Sequence, residues 1–584
     1  MKKNTIKSLT VIAIASMGIM ACNPLNKMKR NTDVVNFDAE PNPLEMHGDS
    51  VEVTVKGTYP TQYFHKKAKV KITPVFRKSD STLVKEFDAM MFQGEKAEGE
   101  GQVIPFSQGG KFDFTVKLPY TPDMQFGTLY ARAEGSYKTK EQLLGEMEVA
   151  PGTNVTPLLV MSDDKPIMGK DNFTRTTTEE MKASIHYLIN SDYVRPAELR
   201  DEDIDMLKEE VSKRTTEEVY TNKETGEETV IGSYDFKALN IKGYASPDGE
   251  ISLNDNLAID RAESAAKAIE RILDRNGIEY DKESFRNLEG KGEDWKGFKT
   301  AMEKSDIKDK ELILRVLTMY DDNKKREEEI KNLAATYVEV ADRILPELRR
   351  SEITVVVDKV GKSDDQITDF AANDPAVLNV EEMLYAATLT NDMNEKLAIY
   401  KTAASTFNED WRTHNNVGYI LLLQNKLDAA KAEFDKALSI DNSNPIVNNN
   451  LGVIARLKGD RDMAMDYYNK AAGAGEEVNY NKGIINIKQG NYSKAVSNLG
   501  NSDTFNAALA QLLNDDADGA LSTLEASEEA TSAEGYYLKA IIGARKENKE
   551  MVMNNLQSAV GKDASLKDKA KKDVEFLKFD LGSL

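Results

Sequence analysis

The C-terminal third of the chain repeats itself. Gly418, Ala430, Phe434 and Ala437 recur as Gly452, Ala464, Tyr468 and Ala471, each 34 positions on, and a period of that length constrains the architecture before any single residue is considered. Small residues fall where two helices must touch and an aromatic lies between them. Each repeat is therefore a helical hairpin that hides its apolar face only by stacking on the next. Stacking of this kind produces a superhelix with a concave face. Upstream, Tyr400 and Ala403 stand 34 positions before Phe434 and Ala437; downstream, Gly483 with Ala495, Ala508 with Ala520, and Ala540 with Leu556 and Ala559 mark shortened copies.

This spacing, with Leu451-Gly452 and Asn442, Asn444 and Pro445 as further landmarks, resembles the tetratricopeptide repeat. The resemblance implies an all-α tetratricopeptide-like superhelix over residues 375–578 whose groove holds a peptide or a partner subunit. Asn415, Asn416, Asn448, Asn449, Tyr480 and Asn481 are the candidate groove contacts. His414 stands alone and reads as a groove or packing residue.

The opposite end of the chain carries an export signal. Lys2 and Lys3 precede the apolar run Leu9 to Met20, which has the length of a signal-peptide core rather than of a bilayer span. The run ends in Ile19-Met20-Ala21-Cys22, and Cys22 is the only cysteine of 584 residues, so neither an intramolecular disulfide nor a thiolate zinc site is available. The string resembles the bacterial lipobox, which implies a signal peptide over residues 1–21 and lipid attachment at Cys22. Residues 22–37 then read as anchor and linker, with the basic stretch Lys27, Lys29 and Arg30 suited to rest against anionic headgroups. The absence of acidic residues from Asn23 to Thr32 differs from surface-flipped lipoproteins of Bacteroidetes-type bacteria, and points to the periplasmic face of the outer membrane.

Between these ends the hydrophobic period changes once. From residue 38 to 161 it is two: Val51, Val53 and Val55 alternate with Glu52, Thr54 and Lys56, and Val70, Ile72, Phe112, Phe114 and Val116 continue the pattern. Short strands with such turns read as an immunoglobulin-like β-sandwich. His47 and His65 lie there singly, without the paired ligands a metal requires. From residue 170 to 360 the pattern mixes strand and helix. His186 to Ile189 reads as a strand, a helix runs from about Asp203 to Lys213, and Phe236 to Tyr244 forms a strand that leads through Ala245-Ser246-Pro247-Asp248-Gly249 into a helix near Asn254.

The string GYASPDG followed by Asn254, Leu257 and Arg261-Ala262 resembles the peptidoglycan-associating signature of the OmpA-like family. That resemblance implies an α/β domain with a helical insertion from Lys296 to about Leu345, and possible peptidoglycan-binding residues Ser246, Asp248, Asn254 and Arg261. A helix N-terminus beside a guanidinium suits the free carboxylate of a wall peptide. The family's acidic ligand is replaced here by Ser246, with Asp248 two residues on. The string from Gly290 to Gly297 (GKGEDWKG) is not a nucleotide loop, because it lacks the lysine-serine or lysine-threonine pair of a phosphate cradle and the dinucleotide spacing.

The fold class is thus multidomain: an N-terminal β-sandwich, a central α/β OmpA-like domain and C-terminal helical repeats. A formal charge of −21, from 98 acidic and 77 basic residues, disfavours nucleic acid as a partner. Four scattered histidines and no further thiol offer no nucleophile–base pair, so neither an enzyme nor a cofactor or metal is expected. Two functions remain. One is an outer-membrane lipoprotein acting as a periplasmic scaffold that binds protein partners, such as an outer-membrane barrel or a secretion or assembly complex. The alternative is a lipoprotein that tethers the membrane to peptidoglycan through its central domain.

Overall fold

Alternation of valines in Ser50–Tyr59 buries Val51, Val53 and Val55 completely and leaves the intervening residues turned outward. The computed structural model describes residues 23–78 and 80–584. The expected export signal and Cys22 lie outside the described residues. Ser50–Tyr59 pairs with Asn36–Glu40 and Leu44–His47 and, antiparallel, with Gly110–Pro119. A second sheet runs in the order Lys140–Pro151, Thr128–Tyr137, Lys69–Arg77, Met90–Gly94 and Gln102–Ile104. Side chains of both sheets, among them Val53, Val55, Ile72, Phe92 and Leu129, share one core.

The stretch after Cys22, expected to be a linker, is folded. Pro24–Arg30 is a helix capped by the Asn23 side chain, which accepts from the Leu25 N–H. Leu25 and Met28, one turn apart on the same face, are buried in the sandwich core. Lys27, Lys29 and Arg30 point to water.

Of the described residues, those up to 169 together with 421–584 form one compact unit and residues 170–420 another. In the first, the sandwich packs directly on the late helices. The Tyr492 hydroxyl donates to the Met46 carbonyl at 3.1 Å. Glu575, nearly buried, accepts from Asn154 Nδ2 at 2.8 Å, Thr156 Oγ1 at 2.7 Å and Arg545 Nη2 at 2.8 Å. Gly48 has a φ of +60°, and a Cβ there would stand 2.9 Å from the Gln489 carbonyl oxygen. Gly48→Val therefore combines left-handed strain with a backbone clash and is expected to cost about 2–4 kcal/mol, read as a lower denaturation midpoint of this unit.

The helices pair as the period requires. Pro445–Leu457 packs on Arg461–Lys470, Glu476–Lys488 on Tyr492–Leu499, Phe505–Leu513 on Ala517–Ala526, and Ala533–Arg545 on Lys549–Lys562. A Cβ on Gly452 would lie 2.4 Å from the Tyr468 ring and one on Gly483 would lie 2.5 Å from Leu499. The small residues are there because the helices cross at that distance.

In the second unit the sheet runs in the order Thr176–His186, Arg350–Val360, Glu228–Ala245 and Glu218–Thr221, with Arg286–Glu293 parallel to the end of Glu228–Ala245. Helix Ile251–Arg275 makes the crossover between these parallel strands and buries Ala262, Ala265, Ala266, Ile269 and Leu273 against Leu239, Ile241 and Val355. The expected strand over His186–Ile189 ends at His186, and Leu188 and Ile189 are exposed. Helices from Trp295 to Leu348 form the insertion around Phe298, Met302, Ile313 and Leu345.

Candidate functional site: a filled repeat groove and a closed arginine site

The first helix of each hairpin presents its middle turn to the inside of the stack. In three successive hairpins the first helix carries a buried asparagine on that side, Asn450 and Asn481 in the middle turn and Asn506 in the first turn. A primary amide has one acceptor and two donors, so it can satisfy both polar groups of one extended residue. Each of these does so. Asn506 accepts from the Met161 N–H at 2.8 Å and donates to the Met161 carbonyl at 3.0 Å. Asn481 makes the same pair with Lys165, at 2.8 and 3.0 Å. Asn450 does so with Ile167, both at 2.7 Å. The segment that follows the sandwich thus lies extended along the asparagine row, running against the order of the repeats.

Side chains of this strap are gripped as well. Asp164 is forked by Arg456, with side chains 4% and 5% exposed. Burial pushes the Asp164 carboxyl up from its ordinary value, against the pull of the guanidinium. Asp163 accepts from the Tyr480 hydroxyl at 2.6 Å and from Asn506 Nδ2 at 2.7 Å. The Lys165 ammonium sits 5.0 Å from the centre of the Tyr480 ring.

These contacts correct the expected set. Asn449, Tyr480 and Asn481 do line the groove, but they face this chain's own strap and are buried beneath it. Asn448 instead donates to the Asn444 carbonyl of its own helix at 2.8 Å. Asn415 and Asn416 are buried and bonded to each other at 3.1 Å. Asn450, Asn506, Arg456 and the strap itself are the residues that sequence reading missed.

The second candidate lies at the end of the motif strand. Arg261 is 1% exposed, and its three nitrogens donate to main-chain carbonyls: Nε to Ser191 at 3.0 Å, Nη1 to Tyr244 at 2.8 Å and Nη2 to Leu188 at 3.2 Å. Burial pushes its pKa down to about 10, which leaves it charged at neutral pH. The Tyr187 ring lies 5.2 Å from the guanidinium carbon.

The four residues expected at a wall-peptide site come together, but the site is closed on itself. Ser246 bonds to Asp248, and Arg349 donates to Ser246 Oγ at 3.0 Å and to Asp248 Oδ2 at 3.2 Å. Asn254 donates to Glu293 at 3.0 Å. The Gly249 N–H donates to Glu327 of the helical insertion at 2.7 Å. Arg261 therefore holds the Leu188–Ser191 turn rather than a carboxylate, and the guanidinium that answers Asp248 is Arg349. Nearby, His186, Glu198 and Asp201 bring ligand atoms within 4.8 Å of one another, yet Glu198 is engaged by Arg195 and by the His186 N–H.

Comparison with known proteins bears on the helical region. A tetratricopeptide-repeat model matches residues 412–444 and 446–474, so the C-terminal region carries tetratricopeptide repeats. A search of curated proteins finds no match. Among solved structures, the chain is similar to YrrB, described as a tetratricopeptide-repeat protein with an unusual peptide-binding site, at 27% identity over 30% of this chain and 97% of that one, with a TM-score of 0.25. It is also similar to PilW, a type IV pilus biogenesis factor, at 20% identity over 35% and 99%, with a TM-score of 0.27. A tetratricopeptide-repeat protein from Parabacteroides merdae matches at 15% identity over 42% and 98%, with a TM-score of 0.28.

Proposed function

We propose that this protein is a non-enzymatic lipoprotein scaffold, attached through Cys22 to the periplasmic face of the outer membrane, whose helical repeats hold a segment of a protein partner in an envelope complex. The observation that carries the reading is the asparagine row, a built surface that satisfies both backbone polar groups of Met161, Lys165 and Ile167 in one extended segment. The lipobox-like run ending at Cys22 supports the anchor. An outer-membrane barrel is the partner class that fits a tethered scaffold, because the complex then has an integral component.

Crosslinking in intact cells, followed by partner identification, tests the scaffold. Recovery of a defined envelope protein supports it, and recovery of none rejects it. Incorporation of labelled fatty acid, lost in Cys22→Ala, tests the anchor. The wall-tether reading has the OmpA-like motif in its favour, but Arg261 is committed to three carbonyls. Purified sacculi are accordingly expected not to retain the protein. Retention that is abolished by Asp248→Ala would reinstate the tether.

A further inference from the structure

The strap from Met161 to Ile167 makes no helix or strand. Asparagine side chains of the repeats take up the backbone polar groups of Met161, Lys165 and Ile167, and those contacts are indifferent to the identity of the residues held. Sequence choice enters at two positions. Arg456, buried, demands a carboxylate at residue 164, and the Tyr480 hydroxyl with Asn506 favours one at residue 163.

We propose that the groove is a peptide site for an extended segment carrying an aspartate opposite Arg456, and that Met161–Ile167 occupies it in cis and closes it to outside peptides of the same chemistry. The inference rests on the scaffold reading and narrows its partner class. A tethered occupant is present at an effective concentration on the order of millimolar. With a strap whose own intrinsic affinity is ~10 μM, any free competing peptide is therefore weakened ~100-fold. Engagement of a partner then requires the strap to leave, and the strap's sequence is the template for what replaces it.

The test uses the full chain and a fluorescein-labelled peptide with the sequence of residues 160–169, VMSDDKPIMG. Anisotropy is measured with the wild type and with D163S/D164S, in which the strap has lost both carboxylates. The opened variant is expected to bind at least ~100-fold more tightly than the wild type, and a peptide with asparagine in place of Asp164 is expected to bind it at least ~10-fold more weakly. Equal binding to both proteins, no binding to the opened variant, or no effect of the asparagine overturns the proposal.

Should the double variant fail to fold, hydrogen exchange on the wild type keeps the closure falsifiable. The amides of Met161, Lys165 and Ile167 are expected to be protected at least ~100-fold over an exposed loop, and exchange at exposed-loop rates would overturn it. A crosslinked partner that stays bound equally to wild type and to the opened variant would leave the scaffold standing on another face and remove the groove from the account.

Discussion

In the Arg456→Ala variant the unit formed by the sandwich and the C-terminal helices is expected to lose about 3–5 kcal/mol of stability, because Asp164 is left as an uncompensated buried charge. The cost arises from removing one partner, not from the worth of the pair. Replacing both, as Arg456→Met with Asp164→Leu, is expected to restore most of the loss, since desolvation of two ions is then avoided. The pH dependence has a definite sign. A carboxyl raised in the folded state contributes stability that is greatest below its unfolded pKa and falls as pH rises through its folded value. Burial already raises Asp164 with Arg456 present, and loss of the guanidinium raises it further. The deficit of Arg456→Ala should therefore shrink as pH is lowered toward about 4, the ordinary carboxylate range. Urea titrations at neutral and acidic pH check both statements. A deficit independent of pH would show that Asp164 does not carry it.

Arg261→Ala is expected to destabilise the central unit by a similar amount, about 3–5 kcal/mol. Three main-chain carbonyls lose a charged donor, and removal of a side chain that is itself buried leaves a void. Arg261→Lys should recover less than half, because one ammonium cannot reproduce a planar fork aimed at Ser191, Tyr244 and Leu188 together. Fluorescence-monitored unfolding reads the loss. Hydrogen exchange should show the Leu188–Ser191 turn opening first. A variant of wild-type stability would mean that the three carbonyls find water or other donors without penalty.

Some of this was written plainly in the sequence. Strict alternation in Val51, Val53 and Val55 announces a strand with one dry face, and the Gly418 and Gly452 register announces stacked hairpins, because both patterns record contacts repeated along a regular element. The asparagine row was half legible. Asn416, Asn450, Asn481 and Asn506 each stand two positions before the small residue of their hairpin, Gly418, Gly452, Gly483 and Ala508. Following that register would have selected Asn450 over Asn448 and added Asn506. The strap was not legible. A segment whose backbone partners are side chains some 300 residues away has no period of its own, and Ser162-Asp163-Asp164-Lys165-Pro166 looks like any polar connection. The helix Pro24–Arg30 was hidden for a related reason: only Leu25 and Met28 mark its buried face among basic neighbours. At Arg261 the motif placed the side chain on its helix, but two of the three carbonyls it answers belong to a turn about 70 positions earlier, which no local pattern reports.

The order of residues along the first unit also governs when it can be completed. Met46 waits for Tyr492 and Asn154 waits for Glu575, across separations of 446 and 421 positions, with the whole of residues 170–420 made in between. Closing so long a loop is slow relative to local steps. As the chain is made, the sandwich therefore emerges early with an unsealed surface and gains its final contacts only when the last helices arrive. A nonsense mutation that removes residues after Ala570 would register as a defect near the N-terminus, at the opposite end of the gene.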